Sequence, residues 1–89
     1  MLAAEGLEYE ERGAGQPVLL IHGALIADAL APLLRESGLA DRYRLIRYRR
    51  RGHGRSDPLA GAFHLAHQAQ DALALLTHLG VERAHVVGH

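Results

Sequence analysis

The chain has 89 residues, a length that allows one small domain or part of a larger one. Its hydrophobic content of 48% excludes an intrinsically disordered protein, and its formal net charge of zero gives no electrostatic argument for binding nucleic acid or an anionic membrane. Cysteine is absent, which excludes disulfides and thiolate metal sites, and no apolar stretch approaches the roughly 20 residues that span a bilayer.

The first half of the chain contains two strand patterns and one helix pattern. Residues 7–12 alternate between two sets of side chains, which predicts a half-exposed strand, and residues 18–23 form an apolar run that predicts a strand buried on both faces. A helix is predicted over about 28–37, with Asp28 as its N-cap. Pro32 is tolerable in that helix only within the first turn.

The second half predicts a strand at 43–48, a loop at 49–58 that is rich in glycine and charge, a helix at 64–79 and a strand opening at 83–89. The helix carries a predicted core stripe of Leu65, Ala69, Ala72, Leu73, Leu76 and Leu79. The resulting order of strands and helices predicts a parallel α/β sheet with right-handed crossover helices. We expect a single unit over 1–89 whose last strand is only begun.

Glycine follows two of the buried strands directly and recurs in the loop after a third. His22-Gly23 ends one strand, the sequence R-G-H-G-R-S occupies 51–56, and Gly88-His89 ends the last strand. Ligands of open α/β sheets bind outside the carboxyl ends of the strands. We therefore expect Gly23 and Gly88 to lie on the same rim of the sheet, as neighbouring strand tips.

These motifs, in this order and spacing, resemble those of the α/β-hydrolase family. Gly88-His89 matches the first two positions of the nucleophile elbow G-x-S-x-G, so the serine of that motif would be residue 90. His22-Gly23 matches the start of the family's oxyanion loop. The resemblance implies that the next residue, Ala24, offers its backbone N–H to the developing oxyanion.

The loop after the third strand extends the resemblance. Arg51, Gly52, Gly54 and Ser56 match the family pattern R-G-x-G-x-S, while Arg49 stands where the family often has aspartate. The fold class is accordingly predicted to be the N-terminal part of an α/β-hydrolase fold. The candidate site residues are Gly23 and Ala24 of the oxyanion loop, and we expect the nucleophile, the acid and the base to be absent from this chain.

The resemblance implies a hydrolase of a small ester, lactone, amide or related compound, with serine or aspartate as its nucleophile and without cofactor or metal. We expect the isolated chain to be inactive, and to self-associate because its last strand would leave an apolar edge. The N-terminus turns acidic by Glu5 and lacks the pattern of a signal peptide, so we expect a cytoplasmic location without membrane or nucleic-acid partners.

Other interpretations of the same residues remain open. The chain could be a non-catalytic interaction module that uses an open sheet edge. Seven of the ten arginines lie between 42 and 55, which would suit phosphate binding, but few aromatic residues accompany them and a solvated surface is the favoured interpretation. Ser56 is expected to satisfy loop backbone rather than act as a nucleophile. His64 and His67 lack a third metal ligand at a suitable spacing.

Overall fold

The computed structural model of the chain describes residues 1–36, 38–59, 61 and 64–88. The elements, in chain order, are strands β1 (Leu2–Ala4), β2 (Leu7–Arg12) and β3 (Gln16–Ile21), a 3₁₀ helix (Ala31–Arg35), helix α1 (Leu39–Arg42), strand β4 (Tyr43–Tyr48), helix α2 (Leu65–His78) and strand β5 (His85–Gly88). The strands form one sheet in the order β1-β2-β4-β3-β5.

The sheet is mixed. Strand β3 lies between β4 and β5 and runs parallel to both, which confirms the predicted parallel α/β arrangement for these three strands. Strand β2 is antiparallel to β4, and β1 adds to β2 as a hairpin that the sequence analysis missed. Glu5 and Gly6 both have positive φ and form the two-residue turn of that hairpin, as a type I′ turn requires.

The predicted bounds are most accurate for the strands. Strands β2 and β4 have the predicted limits, and β3 begins and ends two residues earlier than predicted. The prediction that 83–89 opens a buried strand is wrong in its burial, because β5 is exposed along its whole length at the edge of the described sheet. The helix predicted over 28–37 is wrong. A 3₁₀ helix occupies Ala31–Arg35 with Leu30 at its cap, and Pro32 lies in its first turn as required. Asp28 does not cap it, because its carboxylate binds arginines of β4 and of the segment after it. The predicted helix end at residue 37 lies outside the described residues.

Helix α2 exists at the predicted place but buries a different face. Leu65 and Leu73, both assigned to the core stripe, are 76% and 65% exposed. The buried residues are instead Gln68, Asp71 and Leu75. The helix turns its polar side chains inward because they have arginine partners in the loop that follows β4, as described below. Of the predicted stripe, only Ala72, Leu76 and Leu79 pack against the core.

The two faces of the sheet carry separate hydrophobic clusters. One face packs against α2 and contains Leu7, Tyr9, Leu19, Ile46, Tyr48 and Leu75. The other face packs against the 3₁₀ helix and α1 and contains Val18, Leu20, Leu34 and Leu45. Alternate residues of β3 and β4 therefore supply opposite faces, as a strand buried on both sides requires. No helix in the described part of the chain is long and apolar enough to cross a membrane.

Candidate functional site

The carboxyl ends of β3, β4 and β5 meet at one rim of the sheet. Ile21 pairs with Tyr48 on one side and with Gly88 on the other, so the residues that follow each strand start side by side. The rim is formed by residues 22–30, which we call the His22 loop, by residues 49–57, which we call the glycine loop, and by the tip of β5. Gly23 and Gly88 thus lie on the same rim, as expected, whereas His89 lies outside the described residues.

His22 is a buried side chain at the start of the His22 loop, with an exposure of 3%. Its Nε2 lies 2.8 Å from the backbone N of Arg50, whose N–H can only donate, so Nε2 accepts and the ring proton is on Nδ1. Nδ1 lies 2.6 Å from the carbonyl oxygen of Gly23 and donates to it. The guanidinium of Arg50 also donates to the carbonyl of His22 at 3.2 Å.

The charge state of His22 follows from this environment. Burial lowers the pKa of His22, and His53 and Arg50 lower it further, against the hydrogen bond to the Gly23 carbonyl and the charge of Asp28, which raise it. The imidazole is therefore neutral at pH 7, with one nitrogen accepting and the other donating. A neutral ring is what this geometry requires, since a protonated Nε2 would face the N–H of Arg50.

Ala24 is the residue whose backbone amide was assigned to the oxyanion. No peptide bond in the described residues is cis, so the Ala24 N–H points away from the Gly23 carbonyl in the same planar unit. Because that carbonyl is held by His22, the amide is directed away from the imidazole. Ala24 is exposed, and its N–H has no hydrogen-bond acceptor among the described residues. The geometry is that of a free donor; its role in binding an oxyanion stays a prediction.

The glycine loop is turned by two glycines in the left-handed region, Gly52 at φ +90° and Gly54 at φ +53°. A Cβ at Gly54 would clash with the side chains of Arg49 and Glu8, so a larger residue would require both to shift and would be strained by the positive φ. Ser56 Oγ donates to the Arg49 carbonyl at 2.5 Å and accepts from the Glu8 amide at 2.9 Å. The expected structural role of Ser56 is therefore confirmed.

The arginine-rich segment is paired rather than simply solvated. Arg47, on β4, has an exposure of only 7% and binds Glu10 and Asp28, and Arg49 binds Glu8 and Asp28. Both arginines lower the pKa of the Asp28 carboxyl, with Arg49 the stronger. The predicted solvated surface is wrong for these residues. The Arg49 side chain, at the position where the family often has aspartate, anchors the far end of the His22 loop.

Two further arginines connect the glycine loop to α2. Arg51 makes a two-pronged contact with Asp71, at 3.0 Å and 2.8 Å, and Arg50 donates to Gln68 Oε1 at 3.1 Å. These contacts explain why α2 buries polar residues. They also fix the segment that carries the Arg50 amide, and through it the ring of His22.

A cavity of about 400 Å³ lies between the strand tips and the first half of α2. Its lining includes Ile21, His22, Tyr48, Arg50, Gln68 and Gly88. Burial raises the pKa of Tyr48 to about 12, so its hydroxyl is neutral. Within the described ranges, no group of three or more histidine, aspartate or glutamate side chains is placed to hold a metal ion. The cavity is therefore a space beside the rim lined by neutral and cationic groups.

Sequence reasoning identified the rim but missed residues that organise it. His53 and Arg50 were assigned no role beyond the predicted loop at 49–58, and Asp28 was predicted to be a helix cap. Two glycines around one aromatic ring, in the loop after a buried strand, are a signal that could have identified His53, because such a turn presents that ring at the rim. Nothing local to Asp28 indicates its partners, which are 19 and 21 residues away in the chain.

Comparison with known proteins places this chain in a family. The sequence model of the alpha/beta hydrolase fold matches residues 16–89. The chain is 36% identical to a non-heme haloperoxidase of Rhodococcus erythropolis, in an alignment that covers 98% of this chain and 32% of that protein. It is also 36% identical to a putative carbamate hydrolase, RutD, of Caulobacter vibrioides, covering 96% of this chain and 33% of that protein.

A solved structure gives the same result in three dimensions. A thermophilic esterase from Thermogutta terrifontis superposes with a TM-score of 0.82 and 34% sequence identity, covering 92% of this chain and 30% of the esterase. The chain therefore belongs to the alpha/beta hydrolase fold family. It spans about a third of the length of the curated relatives that it matches.

Proposed function

We propose that residues 1–89 supply the oxyanion loop of a hydrolase that cleaves a small ester, lactone, amide or related acyl compound. The observation that carries the proposal is the Ala24 amide. It is a free donor on the rim formed by the tips of β3 and β5, and the buried His22 fixes its direction. The names of the relatives support the substrate class, since carbamates and esters both contain an acyl carbon open to addition.

The chemistry of this loop follows from its fixed geometry. When a nucleophile adds to an acyl carbon, the carbonyl oxygen becomes an oxyanion and needs a donor that is already in place. The Ala24 N–H would meet that charge without reorganisation, because its peptide plane is held before substrate binds. Removing one such donor typically costs about 3 kcal/mol of transition-state stabilisation. In this proposal Gly23 allows close approach, because it has no Cβ to obstruct the oxyanion.

The nucleophile is proposed to lie outside residues 1–89. The sequence contains two serines, Ser37 and Ser56, and no G-x-S-x-G. The Ser56 hydroxyl donates to the Arg49 carbonyl and accepts from the Glu8 amide, which leaves it unsuited to attack a substrate. We therefore expect the isolated 89-residue polypeptide to be inactive. The coverage of about a third of the relatives' length supports a catalytic centre shared with further polypeptide.

The test uses the native polypeptide that carries these residues. An antibody raised against residues 1–89 would recover it from its source cells, for measurement of its mass, its labelling by a fluorophosphonate probe and its turnover of p-nitrophenyl acetate. In that polypeptide Ala24→Pro, which removes the N–H, should lower kcat by about 100-fold. Ala24→Gly keeps the donor and serves as the matched control. Turnover by the isolated chain above an imidazole-matched blank, or an active Ala24→Pro variant, would refute the proposal.

A second candidate function rests on β5. Among the described strands β5 pairs only with β3, and its Val86 and Val87 are 61% and 41% exposed. An edge with these properties can pair with another chain, which would suit a non-catalytic interaction module. A monodisperse monomer with cooperative melting, together with a native polypeptide that the fluorophosphonate probe does not label, would favour this alternative.

A further inference from the structure

We propose that His53 is a positioning residue that holds the peptide planes around Ala24, and so sets the direction of the Ala24 amide. The inference rests on the proposed function for its catalytic meaning, but the positioning itself can be measured without any activity. His53 lies in the glycine loop, 29 residues along the chain from Ala24. It matches the variable position of the pattern R-G-x-G-x-S, so the motif itself does not specify a histidine there.

The contact that carries the proposal joins the two loops of the rim. His53 Nε2 lies 3.0 Å from the Ala24 carbonyl oxygen. A carbonyl can only accept, so Nε2 carries a proton and donates it. His53 Nδ1 is shielded from solvent and has no hydrogen-bond partner among the described residues, which makes the bond to Ala24 the one that orients the ring.

His53 and His22 act on successive peptides. His22 holds the Gly23 carbonyl, which belongs to the peptide that carries the Ala24 N–H, and His53 holds the Ala24 carbonyl of the next peptide. The two planes meet at the Cα of Ala24, so rotation of its φ or ψ would break at least one of the two bonds. The rings also touch, with centroids 4.6 Å apart and an edge-to-face angle of 69°. The pair therefore restrains Ala24 from both sides.

The backbone under His53 is itself held in place. The His53 amide donates to the Arg50 carbonyl at 2.9 Å, and the His53 carbonyl accepts from the Ser56 amide at 3.1 Å. The Gly52 amide donates to the Asp57 carbonyl at 2.8 Å, which closes the loop. Because the backbone of His53 is fixed by these hydrogen bonds, its side chain can restrain the position of Ala24.

The His22 loop needs a restraint at this point. Its next residues, Leu25 and Ile26, are 94% and 62% exposed and belong to neither hydrophobic cluster of the described residues. The loop is otherwise anchored at its start by Arg50 and near its end by Asp28. Without His53, the described hydrogen bonds of the segment between these anchors would be the His22 bond and the bond from the Ala29 amide to the Ile26 carbonyl, at 3.3 Å, neither of which holds the Ala24 carbonyl.

The experiment compares two variants of His53. His53→Phe keeps the ring contact with His22 but removes the donor, and His53→Gln places an amide N–H where Nε2 was. On the isolated chain, ¹⁵N relaxation should show the Ala24 and Leu25 amides falling from an order parameter of about 0.85 to below about 0.6 in His53→Phe. His53→Gln should restore the order. Chymotryptic cleavage after Leu25, faster in His53→Phe than in the other two chains, gives the same comparison if the chain associates.

A second readout uses the native polypeptide that carries residues 1–89. There His53→Phe should lower kcat by about 10- to 100-fold with KM within about twofold, and His53→Gln should recover most of the loss. Order parameters and cleavage rates unchanged in His53→Phe would overturn the positioning role. Loss of loop order in a native polypeptide that has no hydrolase activity would overturn the proposed function alone, so the two failures are distinguishable.

Discussion

The two edges of the sheet differ in how completely the chain satisfies them. On the β2 side, β4 is covered by an antiparallel neighbour, by α2 and by ion pairs to Glu8, Glu10 and Glu11. On the β5 side, every residue of the edge strand is exposed. The β2 side is thus covered by a hairpin and by ion pairs between residues distant in the chain, whereas β5 presents Val86 and Val87 and an edge that no other described strand pairs with.

The same contrast runs along the rim. The His22 loop and the glycine loop hold each other through His22, Arg50, His53 and Asp28 before any substrate is present. The tip of β5, by contrast, makes no hydrogen bond of this kind to the other described residues beyond its pairing with β3. The two loops therefore hold the Ala24 amide in a fixed direction on one side of the rim, while the tip of β5 on the other side is held by its pairing with β3. The predictions below test each half of this comparison.

The largest effect is expected in the core beneath the completed half. Leu75 of α2 is fully buried, and Leu75→Ala should lower the free energy of unfolding by about 3 kcal/mol because it leaves a cavity. Leu73→Ala, two residues away, is the matched control. Leu73 is 65% exposed, so its truncation should change stability by less than about 0.5 kcal/mol. Urea denaturation followed by circular dichroism measures both. Equal losses would mean that α2 buries the stripe predicted from the sequence.

The next effect concerns the ion pair between the glycine loop and α2. Asp71→Asn removes the charge of the two-pronged contact and leaves the mostly buried Arg51 guanidinium with the longer contact to Asp57, at 3.8 Å. We expect a loss of about 2 kcal/mol, less than for a fully buried pair because both side chains retain some solvent contact. Asp41→Asn, at an exposed site on α1, is the control and should be close to neutral. A neutral Asp71→Asn would show that the two-pronged contact does not order the loop.

The sequence alone was sufficient where patterns are local. Alternation in 7–12 and the apolar run in 43–48 gave strand limits that the structure confirms, because burial of a strand depends on period two and little else. The shared rim followed from parallel strands with glycine at their ends. Strand β1 escaped notice because three residues are too few to show a period, and its turn, Glu5-Gly6, is a weak hairpin signal.

The errors arose where a polar residue found a distant partner. The residues next to Asp28 predicted a helix cap. The Asp28 carboxylate instead binds Arg47 and Arg49, and the 3₁₀ helix begins later, at Ala31. The inward face of α2 was misassigned because Gln68 and Asp71 are polar, and only the fold shows that Arg50 and Arg51 face them. His53 was missed for the same reason. Long-range pairs of this kind leave no periodic trace in a sequence.

A smaller effect tests the neutral state of His22. Its pKa is lowered in the folded chain, so below its ordinary value of about 6.5 the unfolded chain binds the proton more readily and stability declines as pH falls. The stabilisation that depends on a neutral His22 is therefore fully present above about pH 6.5. His22→Gln should flatten the decline between about pH 6.5 and 5, a window above the range in which the carboxyls Glu8 and Asp28 titrate. His67→Gln, at an exposed site, should keep it. Chemical denaturation at a series of pH values measures the slope, and an unchanged slope in His22→Gln would contradict the buried neutral ring.

The smallest effect on stability is expected at the open edge, where the largest effect on association should appear. Val86 is 61% exposed on β5, so Val86→Lys should change the free energy of unfolding by less than about 0.5 kcal/mol. A lysine on an edge strand opposes pairing with another chain, because its charge would have to be buried against the partner strand. Sedimentation velocity should therefore show the unaltered chain in associated forms and Val86→Lys shifted toward monomer.

The control for that experiment lies on the opposite edge. Leu2, on β1, is 60% exposed, close to the value for Val86, but its strand has only three residues. A strand that short offers few backbone groups for pairing, so Leu2→Lys should leave the association unchanged. If Leu2→Lys disperses the chain as well as Val86→Lys does, association is driven by apolar surface in general. If only Val86→Lys disperses it, association depends on β5, which pairs with β3 alone among the described strands.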